Sequence, residues 1–303
     1  MTPNALKCLS SHLPPIMMIP GIKGSVITSF QVLVTLTSYF AEADPKTTAQ
    51  YSKFAHIKKA SNDAIMIPSR LGMTLIYAPA FIVSSIMMMM MHHQQHLFKN
   101  TSLATVFLMI HFAKRLLETY FVHVYSGSVS LVLSIGIGLY YAMVAYLISS
   151  VTGGVVVADV VPQSHINIVQ FRMMGTVLFV LGSLGNLYHH VLLSSLRRPS
   201  NQSTTVTSTS SSSTNSNTTK KTKNSIYVAP KGGWFQYVAA PHYFFELLAW
   251  LGIAMVSQHL NVYLVFTSMC SYLTGRSVSQ NRWNRHQFDN WPKDRKNLVP
   301  FVF

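Results

Sequence analysis

Only eight acidic residues occur in the 303-residue chain, so an acid inside an apolar stretch calls for a partner. Glu118 stands in the string His111-Phe112-Ala113-Lys114-Arg115-Leu116-Leu117-Glu118-Thr119-Tyr120-Phe121-Val122-His123. It follows Lys114 by four residues and Arg115 by three, spacings that bring the acid beside both bases on a helix. Such a set is either an ion pair that makes burial tolerable or a group that stabilises charge and moves protons. A second set, Pro241-His242-Tyr243-Phe244-Phe245-Glu246, puts Tyr243 and His242 one turn from Glu246. A third, Gly182-Ser183-Leu184-Gly185-Asn186, joins small residues that permit close helix approach to an amide that can bond across it.

The elements that position these groups belong in a membrane. Leu71–Met91 and Val129–Val151 run without Asp, Glu, Lys or Arg, each long enough to cross a hydrocarbon core of roughly 30 Å as a helix. Apolar residues make up 49% of the chain and charged residues only 10%, against about a quarter in soluble proteins. That excludes an ordinary soluble enzyme and a disordered chain, and two cysteines cannot build a disulfide scaffold. Spans are predicted near 24–40, 71–91, 101–122, 129–151 and 173–196. Tyr237–Gly275 carries Glu246 as its only formal charge and suits two more, broken around Ser257–Asn261. The expected fold is all-α, a single polytopic membrane domain over 1–303 with seven transmembrane helices.

Of the 23 Lys and Arg, all but Lys7, Lys23, Lys99 and Arg172 fall on one side of this plan, so the N-terminus is expected outside and the C-terminus in the cytosol. The net charge of +15 is spread between spans rather than over one soluble unit, which argues against a nucleic-acid partner. Ser200–Thr219 is almost wholly Ser, Thr, Asn and Gln and is expected to be a disordered cytosolic loop. No nucleotide-binding loop or zinc pattern occurs. His92, His93 and His96 are expected on the outer side and His123, His189 and His190 on the inner, so no metal site is predicted.

The ordered set Tyr227-Val228-Ala229-Pro230-Lys231-Gly232-Gly233-Trp234-Phe235, Pro241-His242-Tyr243 with Glu246, Phe288-Asp289-Asn290-Trp291-Pro292-Lys293 and Lys296-Asn297-Leu298-Val299-Pro300-Phe301 resembles the steroid 5α-reductase family over about 101–303. Lys114-Arg115-Leu116-Leu117-Glu118-Thr119 with Phe121-Val122-His123 looks most like the very-long-chain trans-2-enoyl-CoA reductases of that superfamily. The resemblance implies a multi-pass endoplasmic-reticulum enzyme that uses NADPH to reduce a carbon–carbon double bond conjugated with a carbonyl in a lipid. It further implies cofactor contacts from Asn186, Tyr227, His242, Glu246 and Arg282, and a catalytic set of Lys114, Arg115 and Tyr243. A donor of these types stabilises charge developing on the carbonyl oxygen while a proton source completes the reduction.

Steroid-reducing members hold their ketone with a Glu near the second-helix motif and a Tyr after the third-helix His. Here Ile76 and Tyr77 stand where the Glu would fall, and Phe112 follows His111. Tyr77, His111 and Phe112 are therefore the expected substrate contacts, and a long-chain enoyl thioester is favoured over a steroid, with a polyprenoid third. The rivals are a membrane methyltransferase of the isoprenylcysteine type and a non-enzymatic member of a lipid-elongation complex.

Overall fold

The computed structural model describes residues 21–45, 47, 65–93, 102–125, 127–153, 162–196 and 228–303. Among them are seven long helices: α1 Gly21–Ala43, α2 Ser69–His93, α3 Leu103–Leu117, α4 Leu131–Gly153, α5 Pro162–Ser195, α6 Pro241–Ser257 and α7 Leu260–Gln287. Two three-residue strands, β1 Met66–Pro68 and β2 Ser128–Ser130, pair antiparallel with Ile67 opposite Val129. Tyr227 and the Ser/Thr-rich segment lie outside the described residues. So does His96.

Four helices, at Gly24–Ala43, Ser69–His93, Leu131–Thr152 and Val169–Ser195, are long and apolar enough to cross a membrane. On α5 the residues Val169, Met173, Val177, Val180, Leu184, Tyr188 and Val191 recur at helical spacing and are all exposed. In water such a stripe would be costly; against lipid tails it is satisfied. The opposite stripe of α5 carries Gly175, Gly182 and Gly185 and packs on α6.

Contacts fix the directions of the helices. Gln31, Thr35 and Glu42 of α1 meet Asn261, Ser268 and Arg276 of α7 in the same order, so these two run parallel. Phe107, Lys114 and Glu118 meet Phe179, Asn186 and His190, making α3 parallel to α5. Helix α6 runs against α5, since Gly175 faces Gly252 while Asn186 bonds His242. The strand pair ties the start of α2 to the start of α4. Thr74 and Tyr77 of α2 meet Tyr120 and Arg115 in reverse order, so direction alternates from α2 through α6.

The α6–α7 break falls inside the interval expected. Gln258 adopts φ 53°, and the His259 imidazole then accepts from Asn261 N at 3.2 Å to cap α7. Two boundaries differ from expectation. Helix α5 begins at Pro162 rather than near 173, and α7 runs to Gln287 rather than stopping near Gly275. An apolar-span rule measures the hydrocarbon core, whereas backbone hydrogen bonding continues past it. The polar half of α7 is buried by the C-terminal segment: Asn281 donates to Arg295 O and Asn297 Oδ1 and accepts from Trp291 Nε1.

Glycine sets the closest approach. Pro79 has no N–H for the carbonyl of Leu75, and α4 lies against that carbonyl at Gly138, where a Cβ would stand 2.2 Å away. At Gly252 a Cβ would meet Gly175 O at 2.5 Å and Phe179 N at 2.6 Å, whereas one at Gly136 would meet nothing within 4 Å. Gly252→Ala is therefore expected to lower stability by about 1–3 kcal/mol through overpacking, and Gly136→Ala to be neutral or slightly stabilising. Equal thermal unfolding midpoints for the two variants in detergent would contradict this α5–α6 packing.

Candidate active site

Helix α3 is the hub because it packs on α2, α4 and α6 and reaches α5 through Phe107 and Lys114. It ends in a π turn, Glu118–Val122, closed by His123 N on Glu118 O at 2.8 Å. The wider turn carries Glu118 inward, where it is 1% exposed. A buried carboxylate is tolerable only if its lone pairs are filled. Lys114 Nζ lies 2.8 Å from Oε1, Arg115 Nη1 2.6 Å from Oε2, and His190 Nδ1 3.1 Å from Oε2. The spacing read from sequence thus produces the ion pair it implies.

From this node bonds run to the neighbouring helices. Lys114 Nζ also donates to Asn186 Oδ1 at 2.5 Å, and Asn186 Nδ2 donates to His242 O at 2.9 Å, joining α3 to α5 and α6. Arg115 Nη2 donates to Tyr77 Oη at 2.6 Å, joining α3 to α2. One turn deeper, His111 Nε2 lies 3.2 Å from Glu246 Oε1. Two cations and two anions make this cluster formally neutral before any ligand enters.

Three cavities surround it. A mouth cavity of about 210 Å³ takes in Arg115, His190, His242, Tyr243, Arg276, Trp283 and Asn284. An apolar cavity of about 540 Å³ lies among α1, α2, α4 and α7, lined by Val34, Met73, Ile76, Leu133, Ile137 and Tyr140 among others. Between them an inner pocket of about 60 Å³ touches Tyr77, His111, Phe112, Arg115, Asn186, Tyr243 and Glu246. Tyr77 lines all three.

Most of the residues singled out in the sequence are therefore gathered: Tyr77, His111, Phe112, Arg115, Asn186, His242, Tyr243 and Glu246. Lys114 is part of the cluster but lines none of the three cavities, its ammonium being held by Glu118 and Asn186. Arg282 is exposed on the outer face of α7, bonded to Ala43 O at 2.9 Å, and lines none of them either. The buried guanidinium at the mouth cavity belongs instead to Arg276, paired with Glu42 Oε2 at 3.0 Å. Arg276 lies one residue beyond the span predicted to end at Gly275, which hides its burial in the sequence. The available signal was Glu42, the sole acid within α1.

Two of the three histidines expected on the inner side come together. His123 and His190 approach Glu118 closely enough that one ligand atom of each lies within 4.8 Å of the others. Lys114 and Arg115 already occupy both carboxylate oxygens, and their positive charge opposes a metal cation there. His189 has a different task, accepting Trp234 N at 3.1 Å and so holding the 3₁₀ turn Gly233–Gln236.

Comparison with known proteins bears on the C-terminal part of this assembly. Residues 204–303 match the family model described as 3-oxo-5-alpha-steroid 4-dehydrogenase. This region belongs to that family. The matched region contributes His242, Tyr243, Glu246, Arg276 and Asn284 to the site. The chain is 30% identical to 3-oxo-5-alpha-steroid 4-dehydrogenase 1 of Macaca fascicularis over 43% of its own length and 41% of the relative's. It is 28% identical to the polyprenal reductase of Caenorhabditis elegans over 66% of its length and 60% of the relative's, and 29% identical to that of Xenopus laevis over 66% and 59%. The matched stretch spans between about two fifths and three fifths of these relatives.

Proposed function

We propose that the protein is an NADPH-dependent, multi-pass membrane oxidoreductase that reduces a carbon–carbon double bond conjugated with a carbonyl in a lipid. What carries this is the meeting, at Tyr77 and across the inner pocket, of a mouth cavity that holds the Arg115 and Arg276 guanidinium groups and a larger apolar cavity. The relatives are named for steroid and polyprenal substrates, both lipids, which supports the same class. The alternation of α2 through α6, together with the distribution of Lys and Arg, supports seven spans with the mouth cavity facing the cytosol. The endoplasmic reticulum is the membrane that the family resemblance favours.

The mouth cavity has the donors that a dinucleotide needs. Arg276 offers positive charge for a phosphate, Gln280 and Asn284 offer amides, and His242, Tyr243 and Trp283 offer flat rings beside which a nicotinamide can lie. On the resemblance Asn186 and Glu246 would complete the nicotinamide end, with Arg276 taking the cationic part expected of Arg282. NADPH supplies the hydride for the β-carbon when bound. Tyr77 accepts from Arg115, so its own O–H donates to a different acceptor, and the carbonyl oxygen of a substrate in the inner pocket is within its compass. The guanidinium behind that hydroxyl stabilises negative charge as it develops on the oxygen. Tyr243, on the mouth side of the same pocket, is the proton donor to the α-carbon. Lys114 acts as a positioning residue, setting Glu118 and Asn186.

The test uses detergent-purified full-length protein. NADPH is expected to raise its melting temperature, by the equivalent of about 2.7 kcal/mol at a hundredfold excess over Kd, and a long-chain conjugated enal or enoyl thioester to drive NADPH oxidation. Stabilisation by S-adenosylmethionine in place of NADPH would support a methyltransferase instead. Stabilisation by neither, with no turnover, would leave the non-enzymatic partner of a lipid-elongation complex.

A further inference from the structure

We propose that Tyr77, Tyr141, Met269 and Tyr272 form a filter that admits an acyclic conjugated carbonyl to the inner pocket and refuses a fused-ring ketone. Resting on the reductase reading above, the proposal names the shape of substrate that the site takes. These four side chains are the ones that line both the apolar cavity and the inner pocket, so a reactive group arriving from the lipid side passes between them.

Size sets the selection. The inner pocket, at about 60 Å³, is roughly a ninth of the apolar cavity, so it takes a narrow head group and not the body of a lipid. A C=C–C=O head on a linear chain is narrow, and its saturated tail can remain in the 540 Å³ cavity. In a fused-ring enone the same four atoms carry ring carbons on both sides, which the pocket cannot take with its wall in place.

The wall is stiff on one side and adaptable on the other. Tyr77 and Tyr141 stack at 6.3 Å and 25°, Tyr141 lies against the fully buried Phe112, and Tyr77 is held by Arg115. Facing them, Met269 is a buried, unbranched side chain on α7. The position of α7 there is set by α1, through Thr35 on Ser268, Glu42 on Arg276 and the close passage of Tyr39 O over Gly275. Shortening Met269 or Tyr272 should therefore widen the filter without touching the Arg115 cluster.

The experiment compares kcat/KM for a long-chain trans-2-enal and a 4-ene-3-one steroid in the wild type, Met269→Ala and Tyr272→Leu, each checked for NADPH-dependent thermal stabilisation. The wild type is expected to prefer the enal by about a hundredfold or more, and at least one variant to cut that preference about tenfold or more, within the range that pocket reshaping gives. Should both variants lose thermal stabilisation, the wild type still decides: the steroid is expected not to inhibit enal reduction, and competitive inhibition at micromolar concentration would overturn the filter. Equal kcat/KM for the two substrates in the wild type, or an unchanged preference in both folded variants, would overturn it while leaving the reductase reading intact. If neither substrate is reduced although NADPH binds, the reductase reading itself fails and the filter with it.

Discussion

Glu118→Gln is expected to cost the fold about 3–5 kcal/mol, the usual result of removing one partner from a buried ion pair and leaving the other uncompensated. Two cations depend on this carboxylate, which is 1% exposed and also meets His190. Adding Lys114→Met to Glu118→Gln removes one charge of each sign, and a matched apolar replacement of a buried pair is often close to neutral. The double variant should therefore regain most of the lost melting temperature. It should also turn over within about tenfold of the wild type, because Lys114 lines none of the three cavities while Arg115 keeps its bond to Tyr77. A double variant that folds and binds NADPH yet is inactive would return Lys114 to the catalytic set.

That contrast between Lys114 and Arg115 marks the limit of what linear spacing conveys. Period and length sufficed to predict the seven long helices among the described residues, a break around Ser257–Asn261 and the meeting of Glu118 with its two bases, since each is a local property of the chain. Spacing could not say that Lys114 turns to Asn186 while Arg115 turns to Tyr77, because those partners lie on other helices. Helix ends beyond the hydrocarbon core were equally hidden. With α7 ended at Gly275, the buried pair of Arg276 with Glu42 fell outside the predicted span. The approach of His123 and His190 to Glu118 depends on the π turn, for which the sequence carries no clear signature. Composition revealed a lipid-facing molecule, but the division of its interior into three cavities follows from how α2 and α7 face one another across Tyr77 and Tyr272.

Tyr243 offers the sharpest kinetic test. It lies in the first turn of α6, just after Pro241, where the helix N-terminus favours negative charge, and it borders both the mouth cavity and the inner pocket. The C-terminal segment fixes that turn: Ala239 N bonds Lys296 O at 2.8 Å and Ala240 N bonds Asn297 O at 3.2 Å. Tyr243→Phe removes one hydroxyl and keeps the ring, so packing against His242 at 4.2 Å between centroids should persist. If the hydroxyl delivers the proton to the α-carbon, kcat should fall by about 10²–10⁴ while NADPH affinity stays nearly unchanged. Glu246→Gln should act differently. It weakens the contact with His111 at 3.2 Å and removes the carboxylate proposed to accept from the nicotinamide carboxamide, so NADPH binding should suffer first, with Kd rising before kcat falls. A packing role for Tyr243 would instead lower the melting temperature and spare kcat. Full turnover by Tyr243→Phe at saturating NADPH and lipid would remove it as the donor and leave Tyr77 as the acid of the pocket.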